Sequence, residues 1–415
     1  MKRREFEMQR SRLAGEGNSH SEASGSGWQA TMSGCCASLV GIGLARFAYT
    51  PLLPAIIGAH WFAPSAAAYL GAANLAGYLA GAVLGRPIAA KIPLPALLRS
   101  LMALATIAFF ACSVPVSLTW FFIWRLLSGI SGGALMVLAA PTVLPHMPPQ
   151  RRGIASGIIF AGVGLGIAAS GTIVPLLLRQ GLMETWCGLG ALSLLLTIVA
   201  WRGWPSAHPR PAGTHANHHR TSQTTARLRA LYVQYGLNAV GLVPYMLFLV
   251  DYVARGLGQG LDAGSQYWVV FGLGAIIGPV ISGHLADRTG FAPALRLAFF
   301  LEAVCMLLPV LDTGTPGLLI SSFAIGAFTP GIVPLALGRV HELLHQGPKD
   351  QRAAWSAATA AFALFQAVGA YGLTFVFTQS DGDYHLIFGI GALAFVASLG
   401  IDLIVAVSVS RRRTA

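Results

Sequence analysis

Apolar residues in this chain gather into long blocks, and polar residues fall into the gaps between them. The blocks run over about 33–58, 68–90, 95–113, 117–145, 151–178 and 185–203, then 229–254, 264–286, 292–311, 315–343, 351–377 and 384–409. An α-helix needs about 20 residues with few charges to cross a hydrocarbon core. The pattern therefore predicts twelve transmembrane helices and an all-α membrane protein. Composition agrees, because only 10% of the residues are charged, against about 25% in soluble domains.

The gaps set the organisation. Residues 1–32 are polar, rich in Ser and Gly, and too weakly apolar to fold, so they read as a disordered cytoplasmic tail. They do not read as a signal peptide, since no cleavage site separates them from the long first helix. The longest internal gap, 204–228, is expected to be a cytoplasmic linker between two six-helix bundles, 33–203 and 229–409, followed by a basic tail at 410–415.

Charge supplies the orientation. If the N-terminus is cytoplasmic, all but four of the 27 Lys and Arg residues lie in cytoplasmic segments. Arg179 and Arg255 fall in outer loops, and Arg46 and Arg125 lie inside helices. This positive-inside bias places both termini in the cytoplasm of a plasma membrane, expected to be the bacterial inner membrane. The net charge of +12 is thereby read as topology and not as a nucleic-acid surface. The five cysteines (35, 36, 112, 187 and 305) all lie in apolar blocks, so no structural disulfide is expected.

The two halves retain traces of each other. Gly43-Leu44 precedes Pro51 at the spacing with which Gly236-Leu237 precedes Pro244. Pro148, Arg152 and Ser156 recur as Pro348, Arg352 and Ser356, and Gly129 has Gly326 as its counterpart. Parallel six-helix repeats related by an axis along the membrane normal are one of the known transporter architectures, with the solute site between the bundles near the midplane.

Four stretches carry more specific signals. GHLADRTG, Gly283 to Gly290, resembles the cytoplasmic loop motif of the major facilitator superfamily. There Gly283 and Gly290 would permit a tight turn and close helix approach. Asp287 and Arg288 would form a charged conformational latch. The equivalent stretch at 85–92 has Ala89 in place of the Asp. WRLLSGISGG, Trp124 to Gly133, resembles the superfamily's Arg-x-x-x-Gly motif, with Arg125 roughly 12 Å from the nearer surface. In the fifth block, Gly157, Gly162, Gly166 and Ser170 form a stripe of small residues suited to helix packing. Ser170-Gly171 stands where the superfamily's antiporter motif would have Gly-Pro. The first-helix stretch ARFAYTPLLP resembles the YbfB/YjiJ family within that superfamily. The resemblance implies the major facilitator fold, alternating access, and a central cavity lined by blocks 1, 4, 7 and 10.

Arg46 is the least expected residue. A charge at mid-helix costs at least about 3 kcal/mol unless it faces a cavity or a partner, and residues 33–203 contain a single acid, Glu184, in an outer loop. Guanidinium groups take carboxylate or phosphate bidentately, so an organic anion is the candidate cargo. A bond from Arg46 to backbone carbonyls, or a pair with an acid of the other bundle, is the alternative. Pro51 and Pro54 break the same helix by removing bonds that the Phe47 and Thr50 carbonyls would accept. Candidate solute contacts are Arg46, Tyr49, Asn74 and Arg125 from the first bundle and Gln234, Asn238, Tyr245 and Gln366 from the second. Glu302 and Asp402 lie inside helices, where each is structural, kept neutral or a proton carrier, and Asp251 lies at a helix end.

These readings predict a secondary transporter of a small solute, with a proton or another ion as driving partner and the lipid bilayer as environment, acting as a monomer. A proton-coupled exporter of hydrophobic compounds is the alternative, but it wants a buried carboxylate in the first bundle. No catalytic constellation or Walker-type phosphate loop marks an enzyme or a pump. No cofactor or metal is expected, since the spacing of His208, His215, His218 and His219 matches no zinc site.

Overall fold

A computed structural model describes residues 27–148, 151–205, 222–344 and 348–414. The linker histidines and most of the N-terminal tail lie outside these residues. The described chain is all-helical, with twelve helices long and apolar enough to span a bilayer. They are α1 Gly27–Gly58, α2 Pro64–Ala89, α3 Leu94–Ala111, α4 Leu118–His146, α5 Ile154–Leu178, α6 Leu182–Ala200, α7 Thr224–Gly256, α8 Gly260–Thr289, α9 Phe291–Val310, α10 Gly314–Leu343, α11 Ala353–Gln379 and α12 Tyr384–Val407. Helix α1 starts at Gly27, ahead of the boundary at 33 drawn from hydropathy. Ala30 and Thr31 are buried there, and the Thr31 hydroxyl donates to the Gly27 carbonyl at 2.9 Å. At the other end, helical backbone continues from α12 to Thr414, through most of the basic tail.

The repeat seen in sequence is a repeat of packing. In the first bundle α2 lies hard against α4, and in the second α8 lies hard against α10. Gly129 and Gly326 explain why. A Cβ at Gly129 would stand 2.0 Å from the Asn74 carbonyl oxygen, and one at Gly326 would stand 2.0 Å from that of Phe271. The two glycines let backbones meet where side chains normally keep them apart.

Two seams join the bundles, α5 on α8 and α2 on α11. In the first, Trp268 donates from Nε1 to the Ser170 hydroxyl at 3.0 Å, and Gly164 packs on the backbone of Ala275 and Ile276. The small-residue stripe of α5 also serves α1, since Gly162 lies against Cys35 and Gly166 against Gly43. In the second seam, Leu75 of α2 joins Val243, Phe248, Ala370 and Leu373 in one apolar cluster.

Candidate functional site

Helix α1 is interrupted at the point where it meets the other bundle. A π-helical turn covers Leu39–Leu44, and α-helical geometry resumes at Tyr49. Pro51 has no amide hydrogen for the Phe47 carbonyl, which accepts instead from the Thr50 amide at 3.2 Å. Arg125 occupies the break: its Nη1 donates to the Ala45 carbonyl at 2.8 Å, and its guanidinium lies 4.2 Å from the centre of the Tyr49 ring. Asn74 donates to the Arg125 carbonyl at 3.2 Å, and the Tyr49 hydroxyl donates to the Ala67 carbonyl at 2.7 Å. Arg125 therefore supports broken backbone, as buried polar groups in membranes must.

The second bundle presents a matching break. Pro244, the repeat counterpart of Pro51, opens a π-helical turn over Pro244–Phe248. The Met246 carbonyl of this turn accepts a 2.7 Å hydrogen bond from the Thr50 hydroxyl, tying the two interrupted helices together.

Between them lie two cavities. One is bordered by Tyr49, Thr50, Asn74, Arg125, Phe248 and Thr374 among others. The other is bordered by Tyr78, Phe160, Tyr235, Thr329, Thr359 and Phe362 among others. Arg46, Phe47, Met246 and Gln366 border both and form the partition between them. No acidic residue lines either cavity among the described residues.

Arg46 differs from Arg125 in having almost nothing to bond. Its Nη2 lies 3.8 Å from the Met246 sulfur, and its guanidinium sits 5.1 Å from the Tyr78 ring centre and 5.3 Å from that of Phe47. Its Nε is buried without an acceptor. Bonding to a backbone carbonyl describes Arg125, and among the described residues the Arg46 guanidinium has neither a carbonyl nor a carboxylate partner. Gln366 donates to the same Met246 sulfur at 3.2 Å and leaves its own Oε1 unpartnered.

Of the eight candidate contacts, the structure brings Arg46, Tyr49, Asn74, Arg125 and Gln366 to the cavities. Gln234, Asn238 and Tyr245 are buried and border neither. Asn238 is bonded to Glu302, and the Tyr245 hydroxyl donates to Ser321. These three lie on the helix expected to line the cavity, but Asn238 meets α9, Tyr245 meets α10, and the Gln234 carbonyl accepts from Ser398 of α12 at 3.1 Å. Phe47, Tyr78, Phe160, Tyr235, Met246 and Phe362 were passed over because an apolar side chain on a cavity wall looks the same in sequence as one in a core.

The other acids are accounted for locally. Asp251 pairs with Arg255 and accepts from the Tyr384 hydroxyl at 2.7 Å, and Asp402 takes Arg296 Nε at 2.7 Å across α9 and α12. At the GHLADRTG turn Gly290 adopts φ +84°, as a tight turn requires. Gly283 supports no close helix approach, since no atom lies within 4 Å of where its Cβ would stand. Asp287 and Arg288 are exposed, and no ion pair joins them to another described residue. The carboxylate at this turn is Glu342 of α10, which accepts the Phe291 amide at 3.1 Å and pairs with Arg339 at 2.7 Å.

Comparison with known families decides the class. Residues 38–403 match the family described as uncharacterised MFS-type transporter YbfB. The chain belongs to that family. Among curated relatives, a gallate transporter of Pseudomonas putida is 23% identical over 309 residues, covering 63% of this chain and 69% of the relative. An uncharacterized MFS-type transporter of Mycobacterium tuberculosis is 24% identical over 221 residues, covering 51% of this chain and 48% of the relative, so the match spans about half of that protein. Among solved structures, a D-xylose-proton symporter superposes with a TM-score of 0.71 at 17% identity, covering 89% of this chain and 97% of that one. Helix order, paired bundles and the cavity between them are thus those of the major facilitator fold, and the chain is an integral multi-pass membrane transporter.

Proposed function

We propose that this protein is a secondary transporter of a small organic anion, held at Arg46 and carried by alternating access of the two bundles. The observation that carries the reading is the state of Arg46: a cation on the partition between two cavities, with a buried Nε lacking an acceptor. A carboxylate there would take two charge-assisted bonds, each on the order of 1.5–3 kcal/mol. The neighbouring rings of Phe47 and Tyr78 favour a cargo with an apolar body, and the name of the Pseudomonas putida relative accords with an acid. Export of hydrophobic cations finds no carboxylate in either cavity. Both termini are assigned to the cytoplasmic side of the bacterial inner membrane by the bias of Lys and Arg between segments. The working unit is assigned as a monomer, since each chain carries both bundles and the cavities between them.

Thermal unfolding of the purified protein tests the cargo class. A panel of carboxylic acids, gallate among them, is compared with the corresponding methyl esters, sugars and amines. Stabilisation by acids and not by their esters is the expected result, and occupancy at 100 times Kd corresponds to about 2.7 kcal/mol. Stabilisation by amines alone would overturn the anion assignment.

A further inference from the structure

Glu302 and Asn238 form a site that the cavity chemistry leaves unused. Both side chains are fully buried at 0% exposure, Glu302 on α9 and Asn238 on α7. Asn238 donates from Nδ2 to Glu302 Oε2 at 2.6 Å, while Glu302 Oε1 and Asn238 Oδ1 have no hydrogen-bond partner. The two orphaned atoms are both acceptors, so the pair is one proton short of completion. A proton on Oε1 would turn one of the two orphaned acceptors into a donor, and Oδ1 of the same pair is an acceptor left open. Removing the proton leaves two buried acceptors unpaired, and one of them charged, which a buried site disfavours.

We propose that the Glu302–Asn238 pair is a proton-binding site that couples transport to a proton gradient. Asn238 lies two turns of α7 before Met246, the residue that touches Arg46 and Gln366 and accepts from Thr50. Proton occupancy therefore sets the side-chain link between α7 and α9, and through α7 bears on the broken segment that meets the solute site. One proton travelling with one monovalent carboxylate is electroneutral, so the membrane potential neither drives nor opposes the step.

The charged groups on neighbouring elements are already engaged or distant. Arg296 pairs with Asp402 between α9 and α12, and Arg339 with Glu342 at the far end of α10, beside His341. Asp251 and Arg255 pair at the end of α7, and Arg227 and Arg229 lie at its beginning. His385 and Asp312 meet at 3.6 Å where α9 ends and α12 begins. On α8, Asp262, His284, Asp287 and Arg288 stand toward the ends. Tyr245 donates to Ser321, and Ser321 donates to the carbonyl of Cys305, one turn beyond Glu302, at 2.5 Å. Each of those hydroxyl protons has an acceptor, so none is supplied to Oε1.

Infrared titration of the full-length purified protein reads the proton directly and needs no solute. A carboxylic-acid carbonyl band that disappears as pH rises, is missing in E302Q and shifts in N238L is the expected result. A Glu302 band that persists at every pH, or none at any pH, would overturn the proposal. A second arm, which rests on the transport reading above, uses gallate as probe in proteoliposomes. Each unit of imposed pH gradient should accumulate it up to about tenfold in the wild type. E302Q should retain exchange but lose accumulation. Full accumulation by E302Q would also overturn the proposal. Absence of gallate transport in both proteins would count against gallate as cargo, leaving the infrared result to decide the proton site.

Discussion

Arg46→Gln abolishes transport of the anionic solute without impairing folding. The two halves of that expectation rest on different observations. Loss of a bidentate charge-assisted pair removes on the order of 3–5 kcal/mol, or roughly 10²–10⁴-fold in affinity. Folding survives because the Arg46 guanidinium bonds no backbone group among the described residues and its Nε satisfies nothing. Replacing a partly buried, unpaired cation with a neutral amide removes a desolvation cost, so the melting temperature should hold or rise. Such exchange of stability for function is expected where a site is built for a ligand. Arg125→Gln should behave oppositely, because Arg125 supplies the donor that the broken α1 offers to the Ala45 carbonyl. Uptake assays paired with thermal unfolding of both variants separate these outcomes, and full transport by Arg46→Gln would remove it from the site.

The largest structural effect is expected at Gly129. Apolar atoms in contact stand about 3.5–4.0 Å apart, but a Cβ here would meet the Asn74 carbonyl oxygen at 2.0 Å. Helices α2 and α4 would have to part by more than an ångström, opening the packing that also positions Asn74 and Arg125. Overpacking typically costs about 1–3 kcal/mol, occasionally more, and Gly129→Leu should yield no monodisperse protein. Gly129→Ala should lower the melting temperature clearly. Gly283→Ala is the matched control: it is also a motif glycine, but nothing lies within 4 Å of its Cβ position, so its melting temperature should not fall. Size-exclusion profiles and melting curves of the three variants check this, and a wild-type melting temperature for Gly129→Ala would contradict the packing account.

Much of the fold was legible because bilayers impose long apolar blocks whose ends charges mark. Internal duplication was legible too, and the pairs Gly129/Gly326 and Pro51/Pro244 correspond to matching close approaches and matching helix breaks. Helix ends were less so. Hydropathy started α1 at residue 33, whereas Gly27–Met32 is helical through contacts with α4 that no local pattern records. The site was legible as far as charge is rare. Arg46 and Arg125 stood out in sequence, but only coordinates separate a guanidinium that braces backbone from one left open. Amides on α7 carried no such mark. Gln234 and Asn238 fit a cavity wall or a helix interface equally well by composition, and the interface claimed them. Sequence leaves Glu302 structural, neutral or proton-carrying and does not pair it with Asn238, since the contact joins residues 64 positions apart. At the loop motif the sequence drew attention to Asp287, while Glu342, a whole helix later, supplies the carboxylate that caps α9.

Direct binding reads the Arg46 site without a transport step. Calorimetric titration of the most stabilising carboxylic acid into purified wild type, Arg46→Lys and Arg46→Gln compares a fork, a point charge and no charge at one position. The wild type should bind, Arg46→Lys should bind more weakly, and Arg46→Gln should lose roughly 10²-fold or more. Binding by Arg46→Gln within about twofold of the wild type, a difference under 0.5 kcal/mol, would contradict that expectation.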